Sequence, residues 1–390
     1  MVAQKLFRVQ IVDRLNISSR KCTSMKALIL AGGYATRLRP LSWTKPKLLF
    51  PIAGRPMLER TLKILSKAGV DTAVLAVNFM ADELKKHFGS KYGRIKIQYS
   101  RERCPLGTGG PIRLARKVLG SKEPFFAMNG DILYEGDLSS MVKKHEQENA
   151  IATIALHTVE DASRFGLVEV DDKMHVSSFT EKPENPELER GLINAGIYLM
   201  SPAIFKYIPS GRKVSIEREV FPVLARERKL LGYELKGYWT DIGKISDYLE
   251  ANFSTLKMEA PSEPIVQNGA KVSPNAVLNS PCLVMKKATI ADGAVVGPFA
   301  VVGEGSTIKE DTNLERSVLF NNVCMEKSAK VTGSVISDGV YLSHDVKLGD
   351  GTVIGAGAVV GPGVKLEGGV KVCAFKEINQ SITGPANVCG

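Results

Sequence analysis

Long apolar runs and clustered metal ligands are both missing from this chain of 390 residues. No apolar stretch approaches the about eighteen residues that a membrane-spanning helix needs, so we expect no membrane partner. The six cysteines show no Cys-x-x-Cys spacing, and no paired histidines accompany them. This pattern is typical of reduced, structural cysteines in an intracellular protein, and we predict a cytoplasmic location.

The net charge of +11 is not concentrated in one basic segment, as would be expected of a nucleic-acid-binding protein. Residues 1–24 contribute +4 of it, because they hold five basic residues and one acidic residue. The remaining excess is spread along the chain, which favours a phosphate-handling enzyme over a nucleic-acid binder. Residues 1–24 are acid-poor like an organelle transit peptide but lack a secretory apolar core. We predict a flexible extension or a mis-assigned start, with the first domain beginning at Met25.

Length and a change of pattern together predict two domains. Single cores rarely grow beyond about 250–300 residues, so a chain of this length should hold two. Strand and helix patterns alternate over residues 25–257, and a linker with Pro, Glu and Ser follows. A different periodicity then occupies residues 264–375, and we predict a short tail over residues 376–390.

The first domain alternates apolar runs with amphipathic segments. Runs without internal alternation are typical of strands buried on both faces, and they predict strands at residues 26–31, 70–77, 95–99 and 124–128. Helices are predicted between them, one opened by Pro56 and ended by Gly69, and others at residues 80–88 and 112–119. This order predicts an α/β fold with a Rossmann-like, mainly parallel sheet. Ligands bind at the carboxyl edge of such a sheet.

The second domain has a period of six residues. Aliphatic residues recur at this spacing from Val266 to Leu314, and in a shifted phase from Ile336 to Val372. Mostly small residues lie two positions before them in the first phase. A three-sided parallel β-helix requires one inward aliphatic residue per side and a small residue at each corner. We predict such a β-helix, with an irregular coil or loop between Leu314 and Ile336.

A glycine-rich turn after the first predicted strand carries the strongest functional signal. Gly32 and Gly33 let backbone N–H groups approach an anion without an intervening Cβ atom. Arg37 and Lys47 then add positive charge within 15 residues of Gly32. The combination predicts a polyphosphate-binding site, and an ordinary surface turn is the alternative. It is not a P-loop, because the Gly-Lys-Ser/Thr ending is absent.

Three further positions suggest nucleotide chemistry. A second glycine loop at residues 105–111 could lie against a nucleobase. The alternative is the start of a helix that is rich in turn residues, which would have the same sequence pattern. Asp131 follows the predicted strand at residues 124–128, where an Asx-turn is the alternative. Asp241 supplies a second carboxylate far along the chain. Mg²⁺ prefers one or two carboxylates together with phosphate oxygens and water.

Residues 32–40 and 46–48 resemble the signature of the sugar-1-phosphate nucleotidyltransferases, Gly-Gly-x-Gly-Thr-Arg-Leu-x-Pro followed by Pro-Lys-Pro. Ala35 replaces the third glycine of that signature, and Leu48 replaces its last proline. The six-residue repeats resemble the left-handed parallel β-helix appended to many members. Residues 106–110 and 215–222 look most like the mannose-1-phosphate guanylyltransferase branch.

The resemblance implies roles for individual residues. It assigns catalysis to the charged residues Arg37, Lys47, Asp131, Lys182 and Asp241. The two aspartates among them would hold Mg²⁺. The nucleotide would be bound by Ala31, Gly32, Gly33, Thr36, Gly107, Thr108 and Gly130. The sugar would be bound by Gly166, Glu181 and Asn194.

The resemblance also implies a reaction. A nucleoside triphosphate would transfer its nucleotidyl group to a sugar 1-phosphate and release pyrophosphate, with GTP and mannose 1-phosphate giving GDP-mannose. We expect these substrates with Mg²⁺ as cofactor, no nucleic-acid partner, and a homo-oligomer formed through the β-helix. The alternatives are a glucose-1-phosphate thymidylyl- or uridylyltransferase, a non-catalytic regulatory or assembly subunit, and a fused acyltransferase that uses His344. A non-catalytic subunit would be expected to have lost charged site residues, and all five are present here.

Overall fold

A computed structural model describes residues 24–102, 104–181 and 190–389. The strands of the first domain are β1 (Met25–Ala31), β2 (Pro51–Ile52), β3 (Arg55–Pro56), β4 (Val70–Val77), β5 (Lys91–Tyr92), β6 (Ile95–Arg101), β7 (Phe125–Asn129), β8 (Ile132–Glu135), β9 (Ala152–Val159), β10 (Gly166–Val170), β11 (Val176–Glu181), β12 (Gly191–Met200), β13 (Leu230–Glu234) and β14 (Tyr238–Asp241). Its α-helices are α1 (Met57–Lys67), α2 (Ala81–Phe88), α3 (Gly109–Leu114), α4 (Arg116–Leu119), α5 (Ser139–Gln147), α6 (Phe221–Arg226) and α7 (Ile245–Glu259). Short 3₁₀ helices cover Thr36–Leu38, Leu41–Trp43, Lys47–Leu49 and Pro202–Lys206, and a π-helix covers Ile216–Val220.

Ten strands form the central sheet of the first domain. Its main path runs β11-β10-β12-β7-β1-β4-β6-β5, while β9 pairs with β12 and β13 pairs with β9. Strand β1 is parallel to β4 and β7, and β4 is parallel to β6. This parallel centre confirms the predicted α/β fold. Strand β12 is antiparallel to β7, β9 and β10, so one half of the sheet is mixed, which the alternating pattern did not predict.

The strand register brings three carboxyl ends to one edge of this sheet. Ala31 at the end of β1 pairs with Val77 at the end of β4, and Leu30 pairs with Asn129 at the end of β7. These strands are buried on both faces because helices cover the sheet from each side. The loops that carry the predicted site residues therefore start from neighbouring positions.

The predicted helix at residues 112–119 is divided in two. Helix α3 begins earlier, at Gly109, and ends at Leu114. Ala115 has a ψ of 0°, outside the α-helical range, and α4 starts only after it. Helix α1 lies within the predicted limits of Pro56 and Gly69. Within the described part of the chain, no helix is long and apolar enough to span a membrane.

The second domain is a parallel β-helix. Its short strands are β15 (Ile265–Val266), β16 (Lys271–Val272), β17 (Val277–Leu278), β18 (Cys282–Val284), β19 (Thr289–Ile290), β20 (Val295–Val296), β21 (Ala300–Val302), β22 (Thr307–Ile308), β23 (Asn313–Glu315), β24 (Val318–Leu319), β25 (Cys324–Met325), β26 (Lys330–Thr332), β27 (Val335–Ile336), β28 (Tyr341–Leu342), β29 (Lys347–Leu348), β30 (Val353–Ile354), β31 (Val359–Val360), β32 (Lys365–Glu367), β33 (Lys371–Val372), β34 (Glu377–Ile378), β35 (Ile382–Thr383) and β36 (Asn387–Val388). Every third strand joins the same sheet, which gives three parallel sheets around one apolar core.

Of the two alternatives predicted between Leu314 and Ile336, the irregular coil is correct and the loop is wrong. Regular strands continue through this stretch, and the inward residues are fully buried: Leu314, Leu319, Met325, Val331 and Ile336. The steps from Leu314 to Leu319 and from Val331 to Ile336 contain five residues instead of six. Each one-residue deletion shortens a corner and shifts the phase, while the β-helix itself continues without a break.

The predicted C-terminal tail is also wrong for the described residues beyond 375. Strands β34, β35 and β36 continue the three sheets as far as Val388. Strand β33 pairs with β36, and the next residues of each strand, Cys373 and Cys389, form a disulfide. The expectation that all cysteines are reduced therefore fails for this pair. Parallel stacking of two coils, which no sequence spacing revealed, brings the two thiols together.

Val296 provides a test of the β-helix core. Its side chain is fully buried and points into the apolar interior. We expect Val296→Asp to destabilise the domain by at least about 2 kcal/mol, because a buried carboxylate without a partner is costly. In a thermal scan the variant should lose or lower a transition. Val277→Asp is the matched control, because Val277 lies in the same sheet but is 49% exposed. If both variants melted at the same temperature, the assignment of Val296 to the inside of the β-helix would be wrong.

Candidate active site

A cavity of about 520 Å³ opens at the carboxyl edge of the central sheet. Its wall is built from the loops after β1, β4, β6 and β7. Predicted residues in the wall are Ala31, Gly32, Gly33, Thr36, Arg37, Lys47, Gly107, Thr108, Gly130 and Asp131. The structure therefore brings the residues of the predicted polyphosphate site, the second glycine loop and one of the two aspartates to a single cavity.

The glycine-rich turn after β1 keeps a special backbone conformation despite its alanine. Ala35 adopts φ 47° and ψ 44°, the left-handed region that glycine occupies freely. This conformation costs an alanine about 1 kcal/mol. The carbonyl of Ala35 accepts hydrogen bonds from the N–H of Leu38 and from Oγ of Ser42, which hold the turn in place. Ala35 thus adopts a backbone conformation that the glycine of the signature would also allow.

Arg37 and Lys47 bring positive charge to the cavity from two directions. Arg37 lies on the 3₁₀ helix Thr36–Leu38 with an exposed side chain. A Cβ atom on Gly243 would lie only 3.1 Å from its guanidinium, so the backbone after β14 passes directly beside it. Lys47 begins the 3₁₀ helix Lys47–Leu49, and its Nζ lies 3.4 Å from Oδ2 of Asp131.

Asp131 and Asp241 come together although 110 residues separate them in the chain. Strands β8 and β14 pair antiparallel, with Asp241 opposite Ile132. The N–H of Ile242 also donates to the carbonyl of Asp131 at 3.0 Å. Burial raises the pKa of the Asp241 carboxyl to about 6, the Asp131 carboxylate raises it as well, and Lys47 and Arg37 lower it. Two carboxylates and two cations therefore share one electrostatic site.

The second glycine loop is fixed to the segment before α6. Gly107 has φ 75°, and a Cβ atom there would lie 2.3 Å from the carbonyl oxygen of Val214, so only glycine fits. The N–H of Gly109 donates to that same carbonyl at 2.9 Å. Thr108 donates from its hydroxyl to Glu217 and accepts from the N–H of Ile216 at 2.9 Å. Residues 215–222, which resembled the guanylyltransferase branch, thus support the loop.

The predicted sugar-binding residues form a separate group that does not line the cavity. Gly166 pairs with Glu181 across β10 and β11, and a Cβ atom on Gly166 would lie 2.8 Å from Oε2 of Glu181 and 3.6 Å from Cβ of Asn194. Nδ2 of Asn194 donates to the Tyr198 hydroxyl at 2.9 Å. Lys182, the residue predicted to bind the sugar phosphate, lies outside the described residues.

The pKa of the Tyr198 hydroxyl is affected by burial and by carboxylates from three parts of the predicted site. Burial raises its pKa well above the usual value. The nearby carboxylates of Glu217, Glu181 and Asp131 raise it further, because each disfavours a phenolate. Carboxylates from the loop support, the sugar group and the aspartate pair therefore all disfavour the phenolate of this one buried tyrosine.

Both domains match known families. Residues 26–258, more than half of the chain, match the family described as Nucleotidyl transferase. The chain belongs to this family. Residues 278–388 match the family described as GMPPB C-terminal domain.

Relatives in this family resemble both domains of the chain. The mannose-1-phosphate guanylyltransferase catalytic subunit beta of Danio rerio is 39% identical over 269 residues, which cover 66% of this chain and 74% of that protein. The mannose-1-phosphate guanylyltransferase 1 of Arabidopsis thaliana is 36% identical over 321 residues, with 80% and 86% covered. The crystal structure of HddC from Yersinia pseudotuberculosis complexed with GMP-PN has a TM-score of 0.50 and 30% identity, and it covers 59% of this chain and 99% of that one.

Several residues in the wall of this nucleotidyl transferase cavity were not predicted from the sequence. They are Tyr34, Asn78, Phe79, Glu102 and Lys213. Glu102 is the most consequential, because its carboxylate is buried and accepts the N–H of Leu106 at 3.0 Å. It lies five residues before Gly107, in a stretch with no motif of its own. The only available signal was its position between a predicted strand and a glycine loop.

Proposed function

We propose that this protein transfers GMP from GTP to mannose 1-phosphate, forming GDP-mannose and releasing pyrophosphate. Its relatives in Danio rerio and Arabidopsis thaliana are mannose-1-phosphate guanylyltransferases by name, and they resemble most of the chain. The choice of guanine among the bases depends mainly on one residue, Glu102.

Glu102 offers a buried acceptor at the place where a base would lie. Its side chain is part of the cavity wall, and only 7% of the residue is exposed. Burial raises the pKa of its carboxyl, while the N–H of Leu106 lowers it. Guanine presents donors at N1 and N2, which a carboxylate can accept. Thymine and uracil place carbonyl oxygens on either side of a single N–H, and a carboxylate repels these oxygens.

The reaction is an in-line displacement at phosphorus. A phosphate oxygen of mannose 1-phosphate attacks the α-phosphorus of GTP, and the bond to the bridging oxygen breaks with its electron pair leaving on pyrophosphate. No covalent bond to the protein is required, because positioning and charge neutralisation supply most of the catalysis. Arg37 at the glycine-rich turn neutralises pyrophosphate as it departs. Lys47 holds phosphate oxygens beside Asp131, and Lys182 places the nucleophile.

Mg²⁺ fits the donors that Asp131 and Asp241 provide. No group of three or more His, Cys, Asp or Glu residues that could hold a metal occurs in residues 24–102, 104–181 and 190–389. A pair of carboxylates is sufficient, since Mg²⁺ usually takes its other ligands from phosphates and water. When bound between these aspartates, Mg²⁺ would neutralise charge on the α-phosphate. Burial and the Asp131 carboxylate raise the pKa of Asp241, so a cation bound at this pair would favour its charged form.

We further propose that the protein forms homo-oligomers through the β-helix. Large apolar side chains are exposed on the outside of this domain at Val277, Tyr341, Val359 and Phe375. Exposed coil faces of this kind bury apolar area when copies of the chain associate.

A substrate matrix tests the proposed reaction. Purified protein would be incubated with Mg²⁺ and each pair of GTP, ATP, UTP or dTTP with mannose, glucose or galactose 1-phosphate, and pyrophosphate release would be followed. We expect GTP and mannose 1-phosphate to give the fastest reaction. Activity only with glucose 1-phosphate and UTP or dTTP would contradict the guanylyl assignment, and no activity with any pair would contradict the transfer itself.

A further inference from the structure

The β-helix packs directly against the segment that carries Lys47. The 3₁₀ helix Lys47–Leu49 is followed by Phe50, which is fully buried. The Phe50 ring lies 5.8 Å from the ring of Phe320 in the β-helix and 5.8 Å from the ring of Tyr248 in α7. Phe320 and Tyr248 also contact each other, at 6.2 Å. Three aromatic rings from both domains thus fix the C-terminal end of this segment.

An ion pair between the domains fixes the other end. Nζ of Lys45 lies 3.0 Å from Oδ1 and 2.8 Å from Oδ2 of Asp338, a residue at a corner of the β-helix. The same ammonium lies 5.1 Å from the centre of the Phe320 ring. Both charged side chains are largely shielded from water, with 21% and 30% exposed. Partial burial makes this pair stronger than an ordinary surface ion pair.

The backbone between these two anchors is short and hydrogen-bonded. Pro46 separates Lys45 from Lys47, and its carbonyl accepts the N–H of Leu49 at 2.8 Å. The carbonyl of Lys47 accepts the N–H of Phe50 at 2.9 Å. Lys47 is therefore held on both sides by residues that contact the β-helix, while its Nζ reaches Asp131 in the cavity.

We propose that Asp338 is a positioning residue for nucleotidyl transfer, acting through Lys45 on the placement of Lys47. The inference rests on the proposed function, since it assigns Lys47 to the phosphates of the triphosphate. The β-helix is then a supporting part of the active site. Loss of the Asp338 carboxylate breaks the ion pair with Lys45 and lets the segment that carries Lys47 shift relative to Asp131.

The test is a double-mutant cycle in the full-length protein. Asp338→Asn keeps the size of the side chain and removes its charge, and we expect kcat/KM for the triphosphate to fall about tenfold. In a Lys47→Ala background, the same change should cause no further loss, because the residue through which it acts is gone. Lys45→Arg should retain most of the activity, since arginine keeps the charge that Asp338 binds.

Glu304→Gln is the matched control. Glu304 occupies the same corner position two coils away, 34 residues before Asp338, but pairs with Lys286 and Lys287 of the β-helix itself. We expect this variant to keep wild-type kcat/KM. Equal loss from Asp338→Asn in both backgrounds, or no loss in an active wild-type background, would overturn the inference. A wild-type protein without transfer activity would instead contradict the proposed function.

Discussion

Replacing Asp131 or Asp241 with asparagine is expected to lower kcat by at least about a hundredfold. Each change removes a negative charge from the site where Mg²⁺ and the α-phosphate meet. Neither aspartate belongs to an apolar core, and both are partly exposed, so the fold should remain intact. Steady-state rates at saturating Mg²⁺ test this expectation, together with melting temperatures close to that of the wild type.

Asp172→Asn is the matched control for these variants. Asp172 is an exposed aspartate outside the cavity, and we expect its replacement to leave kcat unchanged. Near-normal turnover in either the Asp131 or the Asp241 variant would show that the assignment of the aspartate pair is wrong.

The raised pKa of Asp241, caused mainly by burial and also by the Asp131 carboxylate, adds a pH dependence. The pKa of Asp241 is raised to about 6, so its carboxyl binds a proton as the pH falls through that value. Because Mg²⁺ binds the deprotonated form, the Mg²⁺ concentration needed for half-maximal rate should rise below pH 6, by up to about tenfold per pH unit. In Asp131→Asn one source of this raised pKa is removed, and the rise should begin at a lower pH.

Glu102→Gln is expected to reduce the preference for GTP over UTP by about a hundredfold. Glutamine can still accept the N–H of Leu106 through its carbonyl oxygen, so the loop should keep its shape. Its amide cannot accept hydrogen bonds from both N1 and N2 of guanine, and it can donate to a carbonyl oxygen of uracil. The ratio of kcat/KM for GTP and UTP is the quantity to measure.

Glu217→Gln is the control for a buried carboxylate in the same region. Glu217 accepts from the hydroxyls of Thr108 and Ser215, and it supports the glycine loop without being part of the cavity wall. Its replacement should change the rates with all nucleotides to a similar extent. An unchanged GTP/UTP ratio in Glu102→Gln would contradict the assigned role of Glu102.

The parallel centre of the sheet and the β-helix could both be predicted from sequence, because each has a residue pattern that is visible within a short stretch of the chain. Strand β1 is a mostly apolar run, interrupted by Lys26, that stops at Gly32, and a period of six cannot arise from a helix. The two five-residue steps were misread, because a one-residue deletion at a corner looks like a loss of pattern. Cys373 and Cys389 could not be paired, since their contact depends on which coils are stacked.

Part of the site could not be predicted from the sequence, for a similar reason. Arg37, Lys47 and Asp131 follow glycine-rich turns or predicted strand ends, and the structure places all three at one cavity. Glu102 and Asp338 have no such local marker. Glu102 matters because the turn after β6 buries it, and Asp338 matters because the β-helix packs against Lys45. Both depend on tertiary contacts that a single sequence does not display.

The most direct test of the proposed transfer is a competition between nucleotides in one reaction. The wild-type protein would receive mannose 1-phosphate, Mg²⁺ and equal concentrations of GTP, ATP, UTP and dTTP, and the nucleotide sugars would be separated early in the reaction. Their ratios equal the ratios of kcat/KM. Transfer directed by Glu102 predicts that GDP-mannose exceeds each other product by at least about a hundredfold. Comparable amounts of UDP-mannose or dTDP-mannose would contradict it.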